Sequence, residues 1–495
     1  MIHNGHVRQY GAVFRSEKKL SLPGFDPAGT NWLMESSGRT ARSTLFEKML
    51  TLAVNKFALL DSQRLGIEMD GGKPGWNDAM NGLPGLLGSG MSETLELRRL
   101  VQFLCGAAGD RDPESSIDMY EEPVFLMRAV ADAYEKIGDM FQCWDHVAGL
   151  REDFREKIEA GITGRREKVA FREIQRILGL MRDVLEDAVK RALEIGGGIM
   201  PTFFTYEADD LEPRLNADGT PYITPYGMPG AVVRSLRRVD LPLFLEGPAR
   251  YLSSCGDEDR KTAREMAGKI LTTGLYDEKL RMYKTSESLE NCGMEIGRVR
   301  VFTPGWLERE SVFLHMEYKY LLGLLKAGLY DEFYSAADRA LICRLDPAVY
   351  GRSILENSSF IASSVNPDPD THGRGYVGRL SGSTAEMLSI WKMMFVGTGG
   401  FIFGSAGLQY RFAPILRRGL FDEKGEASFT LCGTCHVTYH NPTGRDTYGP
   451  ERAAVYRITA FDGRDTVTFD GDSLPERESD LIRRHRMVSI DVYLK

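Results

Sequence analysis

The sequence lacks any excess of cations: 62 Lys and Arg stand against 70 Asp and Glu, a formal net charge of -8. Without surplus positive charge to replace counterions, the chain does not read as a binder of phosphate backbones. Long apolar runs are missing as well. The longest uncharged stretch, Met393 to Tyr410, is broken by five glycines and reads as strand and turn, not a membrane span. The opening MIHNGHVRQYGAVFRSEKK has no apolar core of a secretory leader. Cysteine is scarce, seven scattered residues in 495, which fits reduced thiols in a cytoplasm. What is present, 42% hydrophobic and 27% charged residues, is the composition of a soluble globular protein. The length suits roughly two to four domains.

Residues 1–40 are polar and spotted with glycine. Helical spacing then begins with Leu45, Met49, Leu52, Lys56 and Leu59, capped by Ser43 or Thr44. Further helical patterns run over about 92–104, 123–141, 143–160 and 166–195. A mixed segment at about 200–257 holds the strand-like MPTFFTYEA and the proline-rich LPLFLEGP; helices resume near 258–273, 311–327, 329–345 and 383–396. From about 400 the texture becomes short alternating runs, SFTLCG, HVTYHN, AVYRITAF and DTVTF, separated by turns. The expectation is a mostly α chain over 1–400 with a β-rich domain over 401–495.

Chemistry concentrates in three stretches. GGKPGWNDAMNG, Gly71 to Gly82, reads as a loop carrying Asp78 beside Trp76 and Asn77. A carboxyl against an indole face can be desolvated and kept protonated, as a general acid must be; the plain alternative is an Asp satisfying turn amides. LERESVFLHMEYKYLLGLL, from Leu307, sets Arg309, Glu310 and His315 close together near a helix start. Such a group can bind an oxyanion and a sugar hydroxyl at once, though a His there is most often satisfied by backbone or carboxylate. RLSGSTAE offers the Ser381 hydroxyl and Gly382 at a helix N-terminus, an anion site or an ordinary cap. Between the last two stretches, Glu356, Asn357, Asp368, His372 and Arg374 could line a sugar cleft or a solvated loop. Cys432-Gly-Thr-Cys435-His436 spells a haem attachment site in a strand-like segment, and no four-ligand zinc set accompanies it; both are declined. Gly373 to Gly378 spells GxGxxG but follows no buried strand, and reads as a turn.

GWNDAMNG resembles the DWNDGMN signature of inverting glycoside phosphorylases of the cellobiose phosphorylase type (glycoside hydrolase family 94), with Gly75 and Ala79 departing from it. The other two stretches follow in that family's order. The resemblance implies Asp78 as general acid and Trp76, Asn77, Arg309 and Glu310 as substrate-binding residues, with Glu308 a rival for the Glu role. It implies His315, Ser381 and Gly382 as phosphate ligands. It implies an (α/α)6 barrel, N-terminally incomplete, followed by a small β-sandwich, with an insertion around 200–300. Details such as TSESLE and FTPGWLERES look more like the family's larger β-1,3-oligoglucan relatives. The implied reaction is phosphorolysis of a β-glucoside to α-glucose 1-phosphate with inversion, using inorganic phosphate as co-substrate and no cofactor or metal. The family's residues upstream of the acid exceed those present here, so the chain is expected to be a fragment or to be completed by another polypeptide; a homodimer is a further expected arrangement. Two other readings stand beside it: an inverting β-glucan hydrolase with Glu310 or Asp70 as base, and a non-catalytic sugar-binding fragment.

Overall fold

A computed structural model describes residues 1–9, 17–21, 32–70, 75–378, 382–405 and 407–495. The candidate Ser381 lies outside the described residues. Among them, ten helices of nine residues or more precede residue 400: α1 (Leu45–Phe57), α2 (Met91–Gly109), α3 (Glu121–Lys136), α4 (Met140–Ile158), α5 (Phe171–Ile195), α6 (Glu246–Ser254), α7 (Arg260–Ile270), α8 (Leu314–Lys326), α9 (Tyr330–Ala340) and α10 (Gly382–Val396). Side-by-side packing runs α1–α2–α6–α8–α10, with α5 backing α2 and α9 backing α8. No helix among the described residues is long and apolar enough to cross a membrane.

Thr44 caps α1, its side chain accepting the Glu47 N–H at 3.1 Å. The stripe read from the sequence is outward only in part: Leu45 is 75% exposed and Leu52 52%, Met49 is partly buried against the core and Leu59 is buried just past the helix, while Leu50, Ala53, Val54 and Phe57 make the inner face. The helix is apolar on both faces, so period alone could not choose between them. Buried Glu47 joins that inner face because it accepts the Tyr120 N–H and an Arg166 guanidinium N–H, both at 2.7 Å.

Three further expectations change. The pattern over 166–195 becomes helical only at Phe171; Arg166–Ala170 is a strand paired with Ser116–Tyr120, which puts Val169 in the core. The proline-rich LPLFLEGP runs into α6, with Pro248 in the first turn, where a missing N–H removes no helical bond. The GxGxxG run is not only a turn: Gly375–Gly378 is a strand against Ser358–Ile361, because Gly375 leaves room for the Tyr350 ring.

Two long strands, β1 (Phe203–Pro213) and β2 (Ala231–Asp240), pair as an antiparallel hairpin between α5 and α6. After α10 come the hairpin β3 (Gly400–Gly404) and β4 (Gly407–Arg411), then β5 (Glu426–Leu431), β6 (Cys435–His440), β7 (Val455–Phe461), β8 (Thr466–Asp470) and β9 (Ser489–Leu494). The uncharged run from Met393 therefore ends a helix before it makes the hairpin. The last five strands form one sheet in the order β5-β6-β9-β7-β8, with β6 and β9 parallel. Their alternation holds: Cys435, Val437, Tyr439, Ile490, Val492 and Leu494 are buried. The chain is thus a helix-rich region followed by a β region, and the two share one core. The Tyr439 hydroxyl donates to the Phe395 carbonyl at 2.5 Å and the Tyr334 hydroxyl to the Ile415 carbonyl at 2.6 Å. A second apolar cluster is built mainly from α1 to α5.

Candidate functional site

The loop carrying Asp78 is anchored from beneath. Ala79, Met80 and Leu83 are buried against Phe203, Leu289, Ile296 and Val299 in a small core of their own. Gly82 is needed there, since a Cβ would meet the Glu295 carbonyl oxygen at 1.7 Å. Asn77 starts the short turn Asp78–Met80, its Oδ1 accepting the Ala79 N–H at 3.2 Å. Its Nδ2 is buried without a hydrogen-bond partner among the described residues.

From this loop Trp76 reaches across to α8. The strand Val312–Phe313, held by Ser358–Ile361, leads into that helix and sets His315 in its first turn. The Trp76 indole N–H donates to His315 Nδ1 at 2.8 Å, and the indole stands edge-on to Phe313 with centroids 5.2 Å apart. An indole N–H only donates, so His315 Nδ1 is the lone-pair nitrogen and Nε2 carries the proton. The start of α10 closes on the same ring: a Cβ at residue 382 would lie 2.4 Å from His315 Nε2 and Cε1. Only glycine permits that approach.

Two residues the sequence reading passed over complete the cluster. Glu386, one turn into α10, accepts from Lys319 Nζ at 2.7 Å and lies 3.7 Å from His315 Nε2, an electrostatic contact beyond hydrogen-bond length. Burial pushes the Glu386 carboxyl up, but His315 and Lys319 outweigh it and bring it down to about 2. Buried Glu246 on α6 faces Lys319 and His315 more distantly; burial pushes its carboxyl up against the pull of Arg250 and Lys319. Lys319 and Glu386 each stand one helical turn beyond a residue already singled out, His315 and Gly382, and that spacing is the signal that could have found them.

Asp78 itself is placed differently from the desolvated acid expected of it. Its carboxyl is 69% exposed and accepts from Arg298 at 2.7 Å. Arg309 is buried, donating to the Arg300 and Phe302 carbonyls at 2.9 and 3.0 Å and to Glu290 at 2.6 Å. It thereby fixes the segment from which Arg298 meets Asp78. Glu310 is also buried, in a left-handed turn at φ 55°. Its Oε2 is 3.5 Å from Arg309 Nε, and neither atom has a hydrogen-bond partner among the described residues. Burial pushes the Glu310 carboxyl up, against Lys284 and Arg309.

Of the residues between the motifs, Asn357 lies nearest, bonded to Tyr318 on α8 and Thr384 on α10. His372 is engaged elsewhere, by Lys279 and the Asn366 carbonyl, and Asp70 faces Arg155 at 3.7 Å. A cleft of about 720 Å³ opens at the other end of α10, lined by Trp391, Phe395, Phe401 and Phe429, away from the His315 cluster. All seven cysteines are free thiols.

No family model matches the sequence, and no curated protein matches it. Among solved structures the chain is similar to a GH63 mannosylglycerate hydrolase from Thermus thermophilus, in complex with glucose. The TM-score is 0.24 and the identity 12%, over 60% of this chain and 70% of that one, a likeness too slight to bear on fold or activity.

Proposed function

We propose that the chain is an inverting glycoside phosphorylase acting on a β-glucoside or β-gluco-oligosaccharide, its helices arranged as an (α/α)6 toroid. The observation that supports this reading is convergence: Trp76, His315 and Gly382, from three stretches far apart in sequence, meet around one imidazole ring. An anion pocket needs a fixed donor and close backbone approach, and His315 Nε2–H with Gly382 supplies both.

In this reading, phosphate bound by His315, Ser381 and Gly382 attacks the anomeric carbon from one face. Asp78 protonates the departing glycosidic oxygen on the other, giving α-glucose 1-phosphate and the shortened glycan or aglycone. Phosphate is itself the nucleophile, so no second carboxylate is required to activate water. Arg298 must withdraw from Asp78 before that carboxyl can carry the proton, and entry of the sugar is the event that displaces it. Asn77 Nδ2 and Glu310 Oε2, buried polar atoms with no partner among the described residues, are the groups offered to sugar hydroxyls. Arg309 acts through the 290–302 segment it holds.

The test is release of glucose 1-phosphate from laminari-, cello- and sophoro-oligosaccharides with and without phosphate. Phosphate-dependent release from one linkage is the expected result. Reducing sugar appearing equally without phosphate would replace the phosphorylase with a hydrolase, and sugar binding without turnover would leave a binding fragment.

A further inference from the structure

An anion pocket is ordinarily lined by donors alone, yet Glu386 brings a carboxylate to this one. This inference rests on the phosphate reading of the His315 site and concerns what that site refuses. Glu386 sits one turn into α10, the helix whose opening glycine touches the His315 ring. Lys319, one turn along α8 from His315, binds its Oε1 at 2.7 Å. The three side chains are similarly sheltered, His315 21%, Lys319 19% and Glu386 16% exposed, so water screens the Lys319 and Glu386 charges only in part. Glu386 is held ionised near neutral pH and is therefore an acceptor with nothing to donate. His315 Nε2, by contrast, is fixed as a donor, because Trp76 occupies Nδ1.

We propose that Glu386 makes the His315 site selective for an oxyanion that carries its own O–H, hydrogen phosphate or arsenate, against sulfate. Hydrogen phosphate and sulfate are both tetrahedral dianions of similar size. Hydrogen phosphate can accept from His315 Nε2–H and from backbone N–H at the start of α10 while donating its own proton to the Glu386 carboxylate. Sulfate has only acceptors, so one of its oxygens would face a carboxylate oxygen with no proton between them. An acceptor opposed to an acceptor in a sheltered site is a repulsive element that discriminates without any steric difference. Lys319 keeps the carboxylate ionised and aimed; Glu246 on α6, the other acid facing these groups, is paired with Arg250 at 3.4 Å and pushed up by burial.

The experiment is calorimetric titration of the full chain with inorganic phosphate, arsenate and sulfate near neutral pH at constant ionic strength. It is run on the wild type, Glu386→Gln and His315→Ala. The wild type is expected to bind phosphate and arsenate at least about tenfold more tightly than sulfate. In Glu386→Gln the ratio should fall towards one, chiefly by a gain in sulfate affinity, since an amide N–H can donate to it. If the wild type binds the two anions equally, or if Glu386→Gln keeps the wild-type ratio, the selectivity role is overturned. Phosphate and sulfate bound equally tightly, and both lost in His315→Ala, would keep the anion site and remove only Glu386's part in it. Phosphate binding absent, or unchanged in His315→Ala, would instead remove the site and the inference together. Should Glu386→Gln melt below the working temperature because Lys319 is left unpaired, Glu386→Gln/Lys319→Met takes its place, with the same loss of selectivity expected.

Discussion

His315 and Asp78 are linked through Trp76, yet the structure holds them in opposite ways. His315 is fixed from three sides: the indole on Nδ1, the glycine opening α10 against the ring, and Glu386 beyond Nε2. Asp78 stands in solvent, with its carboxyl on one exposed ion pair to Arg298. A group that binds an anion gains from being set in advance, because reorganisation then costs little when the ligand arrives. A group that must exchange a proton within one cycle gains from a partner that can leave. On the proposed function, the His315 end suits geometry and the Asp78 end suits change.

The comparison can be broken most severely at the acid end. Asp78→Asn should lower kcat on the best β-glucan by about 10²- to 10⁴-fold, the usual worth of a general acid. Its melting temperature should hardly move, since the carboxyl is exposed. Full turnover in this variant would remove Asp78 from the mechanism.

At the anion end the largest effect should appear in acid. The Glu386 carboxyl is brought from 4.5 to about 2 in the folded chain. A lowered folded value means stability that is fully present above the unfolded value and is lost as pH falls from about 4.5 towards 2. The loss should be about 3 kcal/mol in order of magnitude. Urea midpoints across that window should fall more steeply for wild type than for Glu386→Gln, and parallel curves would mean the carboxylate is not held as described.

Gly382→Ala presses a methyl group into the His315 ring and should cost about 1–3 kcal/mol of phosphate binding, seen as a weaker Kd. Trp76→Phe keeps an aromatic ring but removes the N–H, for about 1 kcal/mol. Nitrogen-15 shifts of the imidazole should then show the proton no longer confined to Nε2; an unchanged tautomer would show that Trp76 does not set it. The smallest effect belongs to Arg298→Gln, within about 1 kcal/mol in stability, as for other exposed pairs. A larger loss, measured by denaturant unfolding, would mean that the acid end is as rigid as the anion end.

Local pattern alone settled much of this protein. Period-two alternation marked the C-terminal strands, helical spacing located most of the helices, and glycine with proline marked the stretch around Asp78, described from Gly75, as a loop, because each depends only on near neighbours along the chain. The residue types able to do chemistry, Asp78, His315 and Gly382, were legible for the same reason. Which face of α1 is inward was not, since both faces are apolar and only the partners α2 and α3 decide between them. Nor was the placement of Asp78 in solvent against Arg298, 220 residues away. Trp76 lies 239 residues before His315, and no local period relates the two. Their hydrogen bond, the fixed tautomer and the carboxylate of Glu386 beside it exist only because α8 and α10 pack side by side with the Asp78 loop against them. Contacts of that range are set by how whole elements stack, and that was the decision of the tertiary structure.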